Sequence, residues 1–275
     1  MNFPFPSWFT SSSPRPDVNS SPSAVSRYFF PGFIFLFALL MRFVGRCLDP
    51  VLSRDSISYV QLIPVVNAPA QLTALLDAMS LQYIPLLPLH LANFLYRLLP
   101  VSPEQAGLWL NLLLGSGVAV IVWYMARELH FTPFWSFMAG LLAAVQPTLI
   151  ELSIQIQRDT AYIFFIGLTI LFALKTVRRQ RWFCWGICAV SLSLALFCRY
   201  EALEFIPLFI LAMIFCAKSF RQFLFFLASF MVSLLLSAVV IGSILQPVEF
   251  SSYSITQCTG YVKRFIAVWG VEAGK

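Results

Sequence analysis

Three short stretches of the chain set carboxylates beside arginines. They are "LSRDSISYVQLI" with Arg54 and Asp55, "QIQRDTAYIF" with Arg158 and Asp159, and "CRYEALEF" with Arg199, Glu201 and Glu204. A positioned carboxylate can take the proton of a hydroxyl, and an arginine fork can hold an anion, phosphate above all. Together they suit a transfer in which an alcohol is activated while a phosphorylated group is held. Each has a plainer reading too. Asp55 is a favoured residue type for capping a helix that starts at Ser56. Asp159 can cap in the same way, and Arg158 can anchor a helix end at lipid headgroups. Glu201 is two residues from Arg199, and a simple ion pair is its first reading. Glu204 lies a turn deeper, and the sequence does not name its partner. Arg42 and Arg46 are spaced i, i+4, so snorkelling to the membrane interface is their default reading and a phosphate clamp the minor one, better for Arg46 than for Arg42. His90 falls in a proline-rich segment and is a candidate substrate contact, although a lone histidine is more often simply packed. His130 receives no role.

Other chemistries leave no trace. The six cysteines include no CxxC pair, and no His/Cys/Asp cluster has zinc spacing. Four of the six lie in or beside apolar runs and read as small hydrophobes, while a Cys47–Cys258 pairing is a weak option. There is no phosphate-binding loop and no dinucleotide fingerprint. No cofactor is required, although a divalent metal bridging Asp55, Asp159 and a donor phosphate is compatible with the residue types.

The elements that must position these groups are membrane helices. The chain has 275 residues, 59% hydrophobic and only 11% charged, with a mean hydropathy of +0.81. A soluble domain is about half apolar and about a quarter charged. Counting apolar runs near the roughly 20 residues of a membrane helix predicts about seven spans: 28–45, 107–125, 135–150, 160–177, 182–198, 202–217 and 223–245. The fold class is therefore all-α, a polytopic transmembrane helix bundle. The first 27 residues, rich in Ser and Pro, read as a disordered cytoplasmic tail. Residues 28–250 form the membrane domain, including a long outer loop over 47–106, and 251–275 form an outer segment. Within that loop "ISYVQLIPVV" and "QLTALLDAM" carry apolar residues at helical spacing, which predicts amphipathic helices on the membrane surface. Residues 86–99, interrupted by Pro88 and bracketed by Pro85 and Pro100, read as a helix lying on or dipping into the membrane, with a true span as the competing reading.

The net charge of +6 would point to nucleic acid in a soluble protein. Here the basic residues crowd into short connectors, so topology accounts for them and no nucleic acid is expected. Lys175, Arg178, Arg179 and Arg181 belong inside by the positive-inside rule. With the N-terminus cytoplasmic, ten of the twelve acids fall on the outer face, leaving Asp17 and Glu128 inside. The three carboxylate–arginine stretches then share the outer face. That location suits a lipid-phosphate donor, with its sugar in water, its phosphate at headgroup depth and its polyprenyl tail among the helices.

The order and spacing of these pieces resemble a known family. The chain is similar to the amino-terminal half of GT-C superfamily membrane glycosyltransferases, in the glycosyltransferase family 39 group of protein O-mannosyltransferases and aminoarabinose transferases. The resemblance covers roughly residues 28–217 and is carried by "SRDSISYVQL", "IPLLPLHLANFLYRLLP", "NLLLGSGVAVIVWYMARELHF", "FMAGLLAAVQPTLIELSIQIQRDTAYIF" and "WGICAVSLSLALFCRYEALEFIPL". It implies that Asp55 takes the role of catalytic base, Asp159 the second acidic role and Arg199 the basic role. Some relatives place a Lys where this chain has Ile84, so phosphate binding would fall to Arg42, Arg46, Arg54 or Arg199. The family is longer, with about a dozen spans, so a partner chain supplying further spans is expected, or else a truncated copy.

The expected activity is transfer of a sugar from a polyprenyl-phosphate donor to an acceptor hydroxyl, in a bacterial inner membrane. The alternatives are a non-catalytic or truncated protein that binds the lipid carrier, and a transporter of the lipid-linked sugar. The charge-free middles of spans two to seven weigh against the transporter.

Overall fold

The computed structural model describes residues 24–50, 52–79, 85–179, 182–217 and 219–245. Most of the expected tail, the expected segment 251–275, Ile84 and Cys258 lie outside them. The described residues are helical with no strand. In chain order the α-helices are α1 (Ala24–Leu48), α2 (Arg54–Leu62), α3 (Pro69–Ala78), α4 (Leu86–Leu98), α5 (Pro103–Glu128), α6 (Pro133–Val145), α7 (Pro147–Ile154), α8 (Arg158–Arg179), α9 (Trp182–Leu196), α10 (Phe205–Cys216) and α11 (Phe220–Leu245), with 3-10 turns at Ile63–Val65 and Tyr200–Glu204.

Four helices are long and apolar enough to cross a membrane: Tyr28–Leu48, Pro103–Glu128, Arg158–Val177 and Phe220–Ser243. A fifth arises if α6 and α7, bent by 50° at their junction, count as one broken span. The expectation of about seven spans is not met by these residues. The fifth and sixth apolar runs fold as helices of 15 and 12 residues, about 22 and 18 Å at 1.5 Å per residue. The chain between them is spent on the turn that carries Arg199 and on the 3-10 helix after it. The segment 86–99 forms a 13-residue helix, again too short to span the roughly 30 Å hydrocarbon core.

α5 is the hub. It packs against α1, α4, α6, α7 and α8. Its start is well specified: Ser102 and Gln105 form a reciprocal capping box, and Pro103 occupies the first turn. Its end turns through His130, whose φ of 66° is the left-handed conformation that often closes a helix. That gives His130 a conformational place. Gly115 lets two other elements approach, since a Cβ there would meet Arg42 Nε at 2.8 Å and also the Ser153 side chain.

Three apolar clusters hold the helices. One joins α8, α9, α10 and α11 around Trp185, Leu192, Met213 and Phe230. A second joins α2, α3, α4 and the first 3-10 turn around Tyr59, Leu62, Ile63 and Leu89. It is the loop substructure expected from its amphipathic pattern, and Ile156, just before α8, packs into it. A third joins α1, α5 and α6 around Ile34, Ala119 and Trp123. Large apolar side chains on α11, among them Val232, Leu235, Leu236 and Val239, are exposed, as suits a surface that faces lipid.

Candidate active site

Arg199 is the centre of the charged end of the bundle. Its backbone is extended (φ −153°, ψ 135°) where the chain leaves α9 and enters the 3-10 turn. The side chain reaches the first turn of α8, where Nη1 donates to Asp159 Oδ1 at 2.5 Å, and Nη2 donates to Glu201 Oε1 at 2.9 Å. The guanidinium also lies 5.6 Å from the centre of the Tyr162 ring, within cation–π range. Its Nε is buried with no hydrogen-bond partner among the described residues. The hydrogen bond to Arg199 holds the Glu201 carboxyl below its ordinary range, and the same bond raises the guanidinium. Asp159 is acidic in the first turn of α8, where the helix dipole favours a carboxylate.

The Asp55-bearing helix is brought to the same place. Burial raises the Tyr59 hydroxyl, with the Arg158 charge opposing and the charges of Asp159 and Asp55 adding to it. The first turn of α2 is hydrogen-bonded to residues 156 and 157, which lead directly into Arg158 and Asp159. Asp55 itself is exposed and hydrogen-bonds to none of the described residues. It is also not the cap. α2 starts at Arg54 with Ser53 as N-cap, whose Oγ accepts from the Ser56 backbone N–H, so the expected cap at Asp55 and helix start at Ser56 are each corrected by two residues, toward the N-terminus.

Ser53 and Ser56 do more than cap. The Ser53 N–H donates to Gln155 Oε1 at 2.9 Å, and the Ser56 hydroxyl is 3.2 Å from the same oxygen. The Ile156 N–H donates to Ser56 Oγ at 3.1 Å, and Gln157 Nε2 donates to Ser53 Oγ at 3.2 Å. From the hub, Asn111 Nδ2 donates to the carbonyls of Gln155 and Gln157 at 2.6 and 3.1 Å. Reading the sequence for charges missed these residues. Amides and hydroxyls flanking "RD" in an otherwise oily chain were the available signal.

The other candidates are distributed unevenly. Arg46 is within 3.4 Å of Glu104 Oε1, at the start of α5. Arg54 is exposed, and Arg158 is half-buried with no hydrogen bond to a described residue. His90 is half-buried on α4 and takes no part in the Arg199 ion pairs. Arg42 does not snorkel. It is fully buried, its Nε bonded to Ser153 Oγ at 3.1 Å and its Nη1 to the Ala38 and Ala144 carbonyls at 3.1 and 3.3 Å. Ala144 is in the last turn of α6, whose carbonyls lose their helical partners at the break before Pro147. Snorkelling is less favourable here because these freed carbonyls offer the guanidinium acceptors inside the bundle. Among the described residues no group of three or more His, Cys, Asp or Glu side chains is gathered for a metal.

A family model described as dolichyl-phosphate-mannose-protein mannosyltransferase matches residues 84–241, more than half of the chain. The chain belongs to this family. It is a multi-pass membrane protein and a glycosyltransferase of the GT-C type. The family match contains His90, Arg158, Asp159, Arg199 and Glu201, whereas Arg46, Arg54 and Asp55 precede it. No curated protein matches the chain.

Proposed function

We propose that this mannosyltransferase-family chain moves a sugar from a polyprenyl-phosphate donor to an acceptor hydroxyl, at an outer membrane face formed by the Arg199 end of the bundle. The observation that carries the reading is that the first turn of the Asp55-bearing helix is hydrogen-bonded to residues 156 and 157, which lead directly into Arg158 and the Asp159–Arg199–Glu201 cluster, across about 100 residues of chain. In the reaction Asp55 takes the acceptor's O–H proton. The acceptor oxygen bonds to the anomeric carbon, and the bond from that carbon to the phosphate oxygen breaks with its electron pair. The leaving polyprenyl phosphate gains one negative charge, which cations at headgroup depth stabilise.

The ion pairs made by each arginine favour some of these cations over others. Arg199 already faces two carboxylates, so it holds the start of α8 to the 3-10 turn and contributes a shared charge. Arg158 and Arg54 make no ion pair among the described residues and are the better phosphate ligands. Arg46, beside Glu104, is more distant from this role, and His90 remains a candidate for the lipid or sugar side. A bacterial inner membrane, with the cluster periplasmic, fits the charge distribution along the chain. No metal is needed, since proton and phosphate both have protein partners. A partner chain carrying further spans would find an apolar surface on α11.

Purified protein in proteoliposomes, given polyprenyl-phosphate mannose and a range of hydroxyl acceptors, tests the reading. Wild type should transfer mannose, and Asp55→Asn should lose about 10²–10⁴-fold in rate, the usual contribution of a general base, with donor binding retained. Transfer by Asp55→Asn at the parent rate would remove Asp55 as the base. Donor binding by wild type without any transfer would favour a lipid-carrier binder.

A further inference from the structure

We infer that Ser53, Ser56 and Gln155 are positioning residues that set where the Asp55 carboxylate stands relative to the Arg158–Asp159 turn, an inference that rests on the proposed role of Asp55. α2 has nine residues. A helix so short is not stable alone in water, so packing and end contacts must decide its place. Asp55 makes no hydrogen bond to a described residue, so its carboxylate goes where its helix goes.

The first turn of that helix is bonded to one strap, residues 155–157, that leads directly into Arg158 and Asp159. The network closes on itself. Gln155 Oε1 accepts from the Ser53 N–H and the Ser56 hydroxyl. Ser56 Oγ accepts from the Ile156 N–H, and Ser53 Oγ, 2.8 Å from Ser56 Oγ, accepts from Gln157 Nε2. Ser56 is fully buried, so a lost partner there is not replaced by bulk water. Asn111 fixes the strap to α5 through both of its flanking carbonyls. Below the clasp, Tyr59 and Leu62 bury the same helix in the second apolar cluster. The clasp thus determines register and the cluster holds the helix down.

The test combines geometry with kinetics on the full chain in proteoliposomes. Native cysteines are replaced by alanine, and spin labels are placed at Ile57→Cys and Leu208→Cys, both exposed in the parent. Pulsed dipolar spectroscopy should show a single narrow distance in the labelled parent, a broadened one with Gln155→Ala, and a narrow one again with Gln155→Glu, which keeps the acceptor. In the transfer assay Gln155→Ala should lower kcat on the order of 10²-fold, the cost of misplacing a reacting group by about 1 Å, with the KM for polyprenyl-phosphate mannose little changed. Gln155→Glu should recover most of that loss. A narrow distance in Gln155→Ala, or a broadened one with unchanged kcat, would overturn the inference. If the parent itself transfers nothing, the proposed function fails, and the distance measurements alone decide whether the clasp orders α2.

Discussion

At the scale of single residues, Arg199 is worth more as a tie than as a free cation. It joins the start of α8 to the turn after α9 through two charge-assisted bonds, while exposure of roughly a third at each partner lets water screen them. Arg199→Ala should therefore lower thermal stability by roughly 1–2 kcal/mol, read by unfolding in detergent, and should impair transfer more than donor binding. Arg199→Lys keeps the charge but not the fork, so it should hold one carboxylate and recover only part of either loss. Arg158→Ala should do the opposite, weakening donor binding with little change in stability. The Glu201 carboxyl is depressed by Arg199, so its pairing contributes above the unfolded carboxylate pKa of about 4.3 and is lost as pH falls through the lower folded value. The difference in melting temperature between wild type and Glu201→Gln should be full at neutral pH and disappear only below about pH 4.

At the scale of elements, the break between α6 and α7 shows how one residue organises several helices. Pro147 cannot continue α6, and Gln146 takes an extended conformation (φ −65°, ψ 119°) and caps α7 through its side chain. The freed carbonyl of Ala144 is met by Arg42 from α1, and Ser153 on α7 accepts from the same guanidinium. Gly115 on α5 makes room for both. Gly115→Ala should push them apart and destabilise the protein by about 1–3 kcal/mol, as overpacking does, with α7 and the strap after it the first part to show faster hydrogen exchange.

At the scale of the whole molecule, charges gather at one end. Arg46 meets Glu104 where α1 ends and α5 begins, and Arg199 meets Asp159 where α9 ends and α8 begins. At the opposite end Lys175 of α8 lies 5.5 Å from the Tyr124 ring of α5. The proposed orientation places the first end outside. In a cysteine-free background, an impermeant thiol reagent added to intact cells should label Leu99→Cys and spare Phe131→Cys, since both positions are exposed. The reverse pattern would turn the site to the cytoplasm.

What the sequence determined by itself was class and family. Composition alone requires membrane helices, because so few charges cannot cover a soluble surface, and the "RD" and "RYE" stretches contain the residues that pair around Arg199. The order of the apolar runs and the motifs between them were enough to place the family. The tertiary structure decided the rest. A run of apolar residues cannot say whether it bends at Pro147 or stops after 12 residues at Phe205–Cys216, because length in a membrane is set by where turns and breaks find hydrogen-bond partners. Arg42 reads as a snorkelling residue until the carbonyl it satisfies is placed beside it from another helix. The partners of Arg199 and the clasp on α2 are likewise contacts between loops distant in the chain, and hydrogen bonds are chosen by proximity in space, which spacing along one chain does not encode.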